Sequence, residues 1–130
     1  MRKGLLSFAV IVVLGAVVLF RFPDLDIALL GIGNHRYFLF HSAILPIVVW
    51  LVVRRRGPLA LAVAAAFALG VGAHLVTDVF QYKNVVFPWA GTLVRGMSVD
   101  DRLWEGGNAV ACGVLCWRSW ALKRAARGGA

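Results

Sequence analysis

Imidazole and carboxyl side chains recur in three separate stretches of this chain, and each stretch adjoins a long apolar run. These are the side chains that bind divalent metal ions and transfer protons in active sites. Without a thiolate, they form a nitrogen and oxygen ligand set that suits Zn, Mn or Fe. An ion held by such ligands lowers the pKa of a bound water and polarises a phosphoryl or acyl oxygen. The candidate residues are Asp24, Asp26, His35, His41, His74 and Asp78.

The sharpest local pattern is a run of residues spaced four apart near the middle of the chain. Its members are Ala62, Ala66, Gly70, His74 and Asp78. Residues four apart share one face of a helix, so the small members allow a close helix neighbour while His74 and Asp78 point into a bundle. A bulky stripe beside it is expected to face lipid. Its members are Val63, Phe67, Val71 and Leu75.

The elements that position these groups are predicted to be membrane helices. The chain has 130 residues, 61% of them hydrophobic, and a mean hydropathy of +0.81, whereas soluble domains are about half apolar. This composition predicts a single all-α domain, an integral membrane bundle of four transmembrane helices. The predicted spans are about 4–20, 37–53, 58–80 and 99–122.

The distribution of basic residues predicts the orientation of this bundle. Of 14 Lys and Arg, nine fall in clusters at 2–3, 54–56 and 118–127, and five fall at the other end of the predicted helices. This bias predicts a multi-pass protein of the cytoplasmic (inner) membrane with both termini inside. Because the clusters flank apolar runs, the net charge of +8 indicates contact with membrane lipid rather than with nucleic acid.

The direction of each predicted helix brings the candidate groups to the outer rim. His41 lies near the outer end of the second span, His74 and Asp78 lie near the outer end of the third, and Asp24 follows the first. Pro46 is expected to kink the second helix beside His41. Each feature also has a structural reading, since a membrane histidine is often a buried hydrogen-bonding group and a proline kink is common.

The fourth predicted helix presents one polar face, and the upper part of this face lies at the outer end of the helix. Its members are Asp101, Glu105, Asn108, Cys112 and Cys116. This face supplies another carboxylate to the site, or else Asp100, Asp101 and Glu105 are solvated charges at a helix end and Asn108 makes a hydrogen bond between helices. The sequence favours the second interpretation.

The motifs of residues 22–90 resemble those of a known group. The segments Pro23-Asp24-Leu25-Asp26, His35-Arg36, His41-Ser42 and Gly70…His74…Asp78 occur here in order. They resemble the PD-x-D, H-R…T-H-S and G-x-x-x-H-x-x-x-D segments of small bacterial inner-membrane proteins, the SOS-regulated metal-dependent hydrolases. The resemblance implies a hydrolase with an unnamed substrate. It implies metal-binding or catalytic roles for Asp24, Asp26, His35, His41, His74 and Asp78.

The leading hypothesis is a metal-dependent hydrolase of a lipid-linked or amphipathic ester or phosphoester. In it, the metal ligands are His35, His41, His74 and Asp78. Asp24 or Asp26 completes the ligand set or acts as the base, and Arg36 pairs with an anionic substrate group.

Two hypotheses from other classes stay open. The first is a non-catalytic structural or assembly subunit whose polar rim docks a protein partner or a second copy. The second is a small transporter that relays ions or protons, which needs polar groups through the full membrane depth. The inner halves of the predicted helices offer few such groups.

Overall fold

The computed structural model describes residues 2–31, 36–81, 85 and 101–128, and the regular elements in these ranges are all helical. The helices are α1 (Arg2–Leu19), α2 (Leu25–Leu30), α3 (Ile44–Val53), α4 (Pro58–Asp78) and α5 (Asp101–Gly128). The prediction of an all-α architecture is therefore confirmed for the described residues.

Helices α1 and α4 lie close to their predicted positions. Pro58 occupies the first turn of α4, where its missing N–H costs no hydrogen bond. Helix α5 continues beyond the predicted end to Gly128, and the residues just before Asp101 lie outside the described ranges. The short helix α2 lies between the first and second predicted spans.

The second predicted span differs most from the structure, since α3 begins at Ile44 rather than near residue 37. Two residues before it use their backbone N–H groups in other ways: that of Tyr37 donates to Asp26 and that of Ala43 donates to Asn108. Pro46 falls in the first turn of α3, where it breaks no helical hydrogen bond, so no kink of the predicted kind arises there.

Helix α4 forms the centre of the bundle and packs against α1, α3 and α5. The small residues of its stripe are buried, as a close helix neighbour requires. Of the bulky stripe that was expected to face lipid, Val63 is exposed, but Phe67, Val71 and Leu75 are buried. The expectation was wrong for these three residues because three helices cover α4.

Helices α1 and α4 approach closely at Gly70. A Cβ at this position would lie 2.8 Å from the carbonyl oxygen of Ala16 and 3.0 Å from the carbonyl carbon of Leu19, both backbone atoms. A side chain therefore forces the helices apart. We expect Gly70→Ala to destabilise the bundle by about 1–3 kcal/mol, which thermal unfolding in detergent measures.

Gly113→Ala provides the matched control, since nothing lies within 4 Å of a Cβ at Gly113 in α5. Alanine favours a helix interior over glycine by about 1 kcal/mol, so this variant should be neutral or more stable. Equal destabilisation by the two substitutions would contradict the close approach of α1 and α4.

One described helix, Pro58–Asp78, is long and apolar enough to cross a membrane. Its apolar window is 67% buried inside the chain, and the core helix of a soluble protein meets the same test. With ten residues, α3 is about 15 Å long, half the thickness of a hydrocarbon core of about 30 Å.

Candidate metal centre

Three segments that are distant in sequence place imidazole and carboxyl groups together at one end of the bundle. Asp24 lies just before α2, His41 lies just before α3, and His74 lies near the end of α4. Each offers one potential ligand atom, and these atoms all lie within 4.8 Å of one another. The two imidazoles are buried, whereas the Asp24 side chain is 33% exposed and forms the accessible side of the cluster.

The carboxylate of Asp78 lies between the two imidazoles. Its Oδ2 is 3.2 Å from Nε2 of His74 and 3.4 Å from Nε2 of His41. On the other side, Nε2 of His74 is 3.6 Å from Oδ1 of Asp24. Two ligands of a tetrahedral zinc ion, each about 2.0–2.1 Å from it, lie roughly 3.3 Å apart. The observed separations are close to that distance, which is also the distance of a direct ion pair, so the cluster could hold one small cation.

The hydrogen bonding of His74 and Asp78 also fits a metal ligand set. Both ring nitrogens of His74 and the Oδ2 atom of Asp78 are buried, and within the described part of the chain none of them makes a well-aligned hydrogen bond, although Nε2 of His74 and Oδ2 of Asp78 face each other at 3.2 Å. A buried polar atom without a hydrogen bond is costly. A cation among these atoms would satisfy the carboxylate oxygen and one nitrogen together.

Asp26 lies behind His41. Its Oδ2 atom is 3.2 Å from Nδ1 of His41 and accepts a hydrogen bond of 2.9 Å from the backbone N–H of Tyr37. Metal-binding histidines commonly direct their second nitrogen at a carboxylate, which selects the tautomer that leaves the other nitrogen free to bind the ion. Asp26 therefore contacts His41 from behind, whereas Asp24 belongs to the candidate ligand cluster.

Helix α5 positions the irregular segment that carries His41. The indole N–H of Trp104 donates to the carbonyl oxygen of His41 at 2.9 Å. Asn108 accepts a hydrogen bond from the backbone N–H of Ala43 and donates one to the carbonyl of Trp104. Asn108 thus makes a hydrogen bond between two segments, as the second interpretation of the fourth predicted helix expected.

Arg36 lies beside this cluster and is fully buried. Its guanidinium contacts Oδ1 of Asp78 at 3.2 Å and Oε1 of Glu105 at 2.9 Å, and it donates to both oxygens of Gln81. The backbone of Arg36 is left-handed with φ of +68°, which is costly for a residue with a Cβ. The side chain predicted to pair with a substrate anion therefore holds two carboxylates of the protein.

The burial of Glu105 corrects the expectation of a solvated helix end. Glu105 is 0% exposed, because the Arg36 guanidinium provides its charged partner inside the bundle. Its place on one helix face with Asn108 and Cys112 was the available signal. His35, Asp100 and the side chain of Asp101 lie outside the described residues, so their predicted roles stay predictions.

Comparison with known proteins found no relative of this chain. No protein-family model, no curated protein and no solved structure matches the chain. The fold and the site therefore define only a class, an all-α protein with a candidate metal centre formed by Asp24, His41 and His74.

Proposed function

We propose that the chain is a metal-dependent hydrolase of a multi-pass membrane bundle, acting on a lipid-linked or amphipathic ester or phosphoester. The observation that carries the proposal is the convergence of Asp24, His41 and His74, with Asp78 between the imidazoles. The resemblance of their motifs to membrane-bound hydrolases supports the same activity. Zn, Mn and Fe are the ions that suit these ligands.

The exposed apolar surface supports the membrane part of the proposal. On α1, the side chains of Leu14, Val17 and Val18 are 63%, 70% and 77% exposed. Further large apolar side chains are exposed on α3, α4 and α5. Exposed apolar side chains in such numbers indicate a lipid or protein neighbour. The proposed orientation has both termini in the cytoplasm and the metal centre at the outer leaflet.

Each residue of the centre has a role in the proposed reaction. The imidazoles of His41 and His74 and a carboxylate oxygen of Asp78 would hold the ion, which when bound would supply an activated water and polarise a substrate oxygen. Asp24 is the most accessible of the four and either completes the ligand set or accepts a proton from the attacking water. Asp26 holds His41 in the binding tautomer.

Metal analysis combined with an activity assay tests this function. Protein purified in detergent is expected to contain about one divalent ion per chain, since one centre has about four ligands. It is also expected to cleave a chromogenic acyl ester or phosphodiester with a long alkyl group. Chelation should abolish cleavage, and one added equivalent of the same metal should restore it. A chain without stoichiometric metal, or with cleavage that resists chelation, would contradict the proposal.

A second function has support from the ion pairs of Arg36. Because this buried guanidinium links the segment before α3 to α4 and α5, the same rim also suits a structural or assembly subunit. Such a subunit would copurify with a stable partner and keep its function in a His41→Ala/His74→Ala variant. A metal-dependent enzyme would lose its function in that variant.

A further inference from the structure

A basic cleft opens between α3 and α5, at the end of the bundle opposite the metal centre. The cavity is about 550 Å³. Its lining residues are Trp50, Arg54, Arg55, Trp117, Arg118, Ala121, Leu122 and Ala125. The described residues that line it thus combine three guanidinium groups, two indole rings and an apolar remainder, and none of them is acidic.

The position of the cleft separates it from the proposed chemistry. Helix α4 begins three residues after Arg55 and ends at Asp78, so its 21 residues place about 30 Å between the cleft and the metal centre. In the proposed orientation this end of the bundle lies at the cytoplasmic surface of the membrane.

The donors of the cleft suit a phosphate group at an interface. Guanidinium groups bind phosphate through paired N–H donors. The Arg54 guanidinium lies over the Trp50 ring, 5.4 Å from its centroid, which holds the cation at the cleft wall. The Nε1 atom of Trp50 is buried and makes no hydrogen bond within the described part of the chain, so this donor has no protein acceptor there.

From these features we infer that the cleft binds the phosphate headgroup of an anionic phospholipid. Basic pockets between helices at the cytoplasmic surface bind such headgroups, and an adjoining apolar wall accommodates the first part of an acyl chain. The inference rests on the proposed membrane location but not on the metal centre or on hydrolysis. A chain with no bound metal would still bind the lipid.

Titration of the detergent-purified full chain with solubilised lipid tests the inference. Phosphatidylglycerol is expected to bind at least about 10-fold more tightly than phosphatidylcholine, because the basic cleft favours a net negative headgroup. The variant Arg54→Gln/Arg118→Gln should lose at least about 10-fold in affinity for phosphatidylglycerol through loss of two phosphate-binding groups. Trp50→Phe, which keeps a ring and removes the N–H, should bind more weakly than the wild type.

A matched variant separates the cleft from general charge. Arg56→Gln/Arg124→Gln removes the same charge from exposed residues outside the lining, and it should keep the wild-type affinity. Equal losses in the two double variants would overturn the inference. So would equal affinity for the two lipids in the wild type. Inorganic phosphate is the third ligand: if it displaces the lipid at equal concentration, the cleft binds a free anion and the lipid assignment is wrong.

Discussion

Replacement of His74 by alanine is expected to leave the purified protein with almost no bound metal. The Nε2 atom of His74 lies between Oδ2 of Asp78 and Oδ1 of Asp24, at 3.2 and 3.6 Å, so this nitrogen joins the two carboxylates of the proposed ligand set. Loss of an outer-shell partner already weakens metal binding about 10–100-fold, and loss of a ligand should cost more. Elemental analysis after dialysis against metal-free buffer measures the effect, and hydrolysis should fall with it.

Two variants at the same end of the bundle provide comparisons for this result. Asn108→Ala removes a polar group that supports the His41 segment without contributing to the ligand cluster, so it should retain the metal. Asp26→Asn replaces the carboxylate behind His41 by an amide and should reduce metal affinity by about 10–100-fold. Competition with a chelator measures this affinity. If His74→Ala holds as much metal as Asn108→Ala, the proposed centre is wrong.

Arg36→Ala is expected to cause the largest loss of stability, about 3–5 kcal/mol in the free energy of unfolding. The guanidinium is fully buried and contacts carboxylates of two helices, Asp78 on α4 and Glu105 on α5. Without it, two buried negative charges lose a shared cation in a medium that solvates them poorly. Reversible unfolding in mixed detergent micelles, followed by circular dichroism, measures the loss.

A double variant distinguishes this electrostatic cause from a loss of packing. Adding Glu105→Gln to Arg36→Ala removes one of the two charges and should recover part of the stability, although Glu105→Gln alone destabilises the wild type. If the free energy of unfolding of Arg36→Ala lies within about 1 kcal/mol of that of the wild type, the ion pairs contribute as little to stability as exposed ion pairs do.

The helices that could be predicted from the sequence are those whose signals are local. Pro58 begins α4 because proline suits a first turn, and the four-residue spacing places the small stripe on a buried face. The start of α3 could not be predicted in this way. Asp26 and Asn108, which are 11 and 65 residues from their backbone donors, take N–H groups that the apolar pattern assigned to a helix.

The same distinction applies to the candidate site. The expectation that His41, His74 and Asp78 meet at one rim follows from alternating helix directions and needs no detailed packing. The partners of Arg36 depend on detail that no local pattern contains. Its left-handed backbone and its contact with Glu105, 69 residues away, arise only when α4 and α5 are in place. The sequence alone therefore assigned the side chain of Arg36 to an anionic substrate group instead of to these carboxylates.

The two oxygens of Asp78 face different parts of the molecule: Oδ1 faces Arg36, and Oδ2 faces both imidazoles. An aspartate here thus contributes to the cohesion of the bundle as well as to the proposed metal centre. In a related chain without the proposed activity, selection on folding alone would retain this carboxylate. A surviving aspartate is therefore poor evidence of a working enzyme, and the diagnostic feature is a pair of histidines beside it.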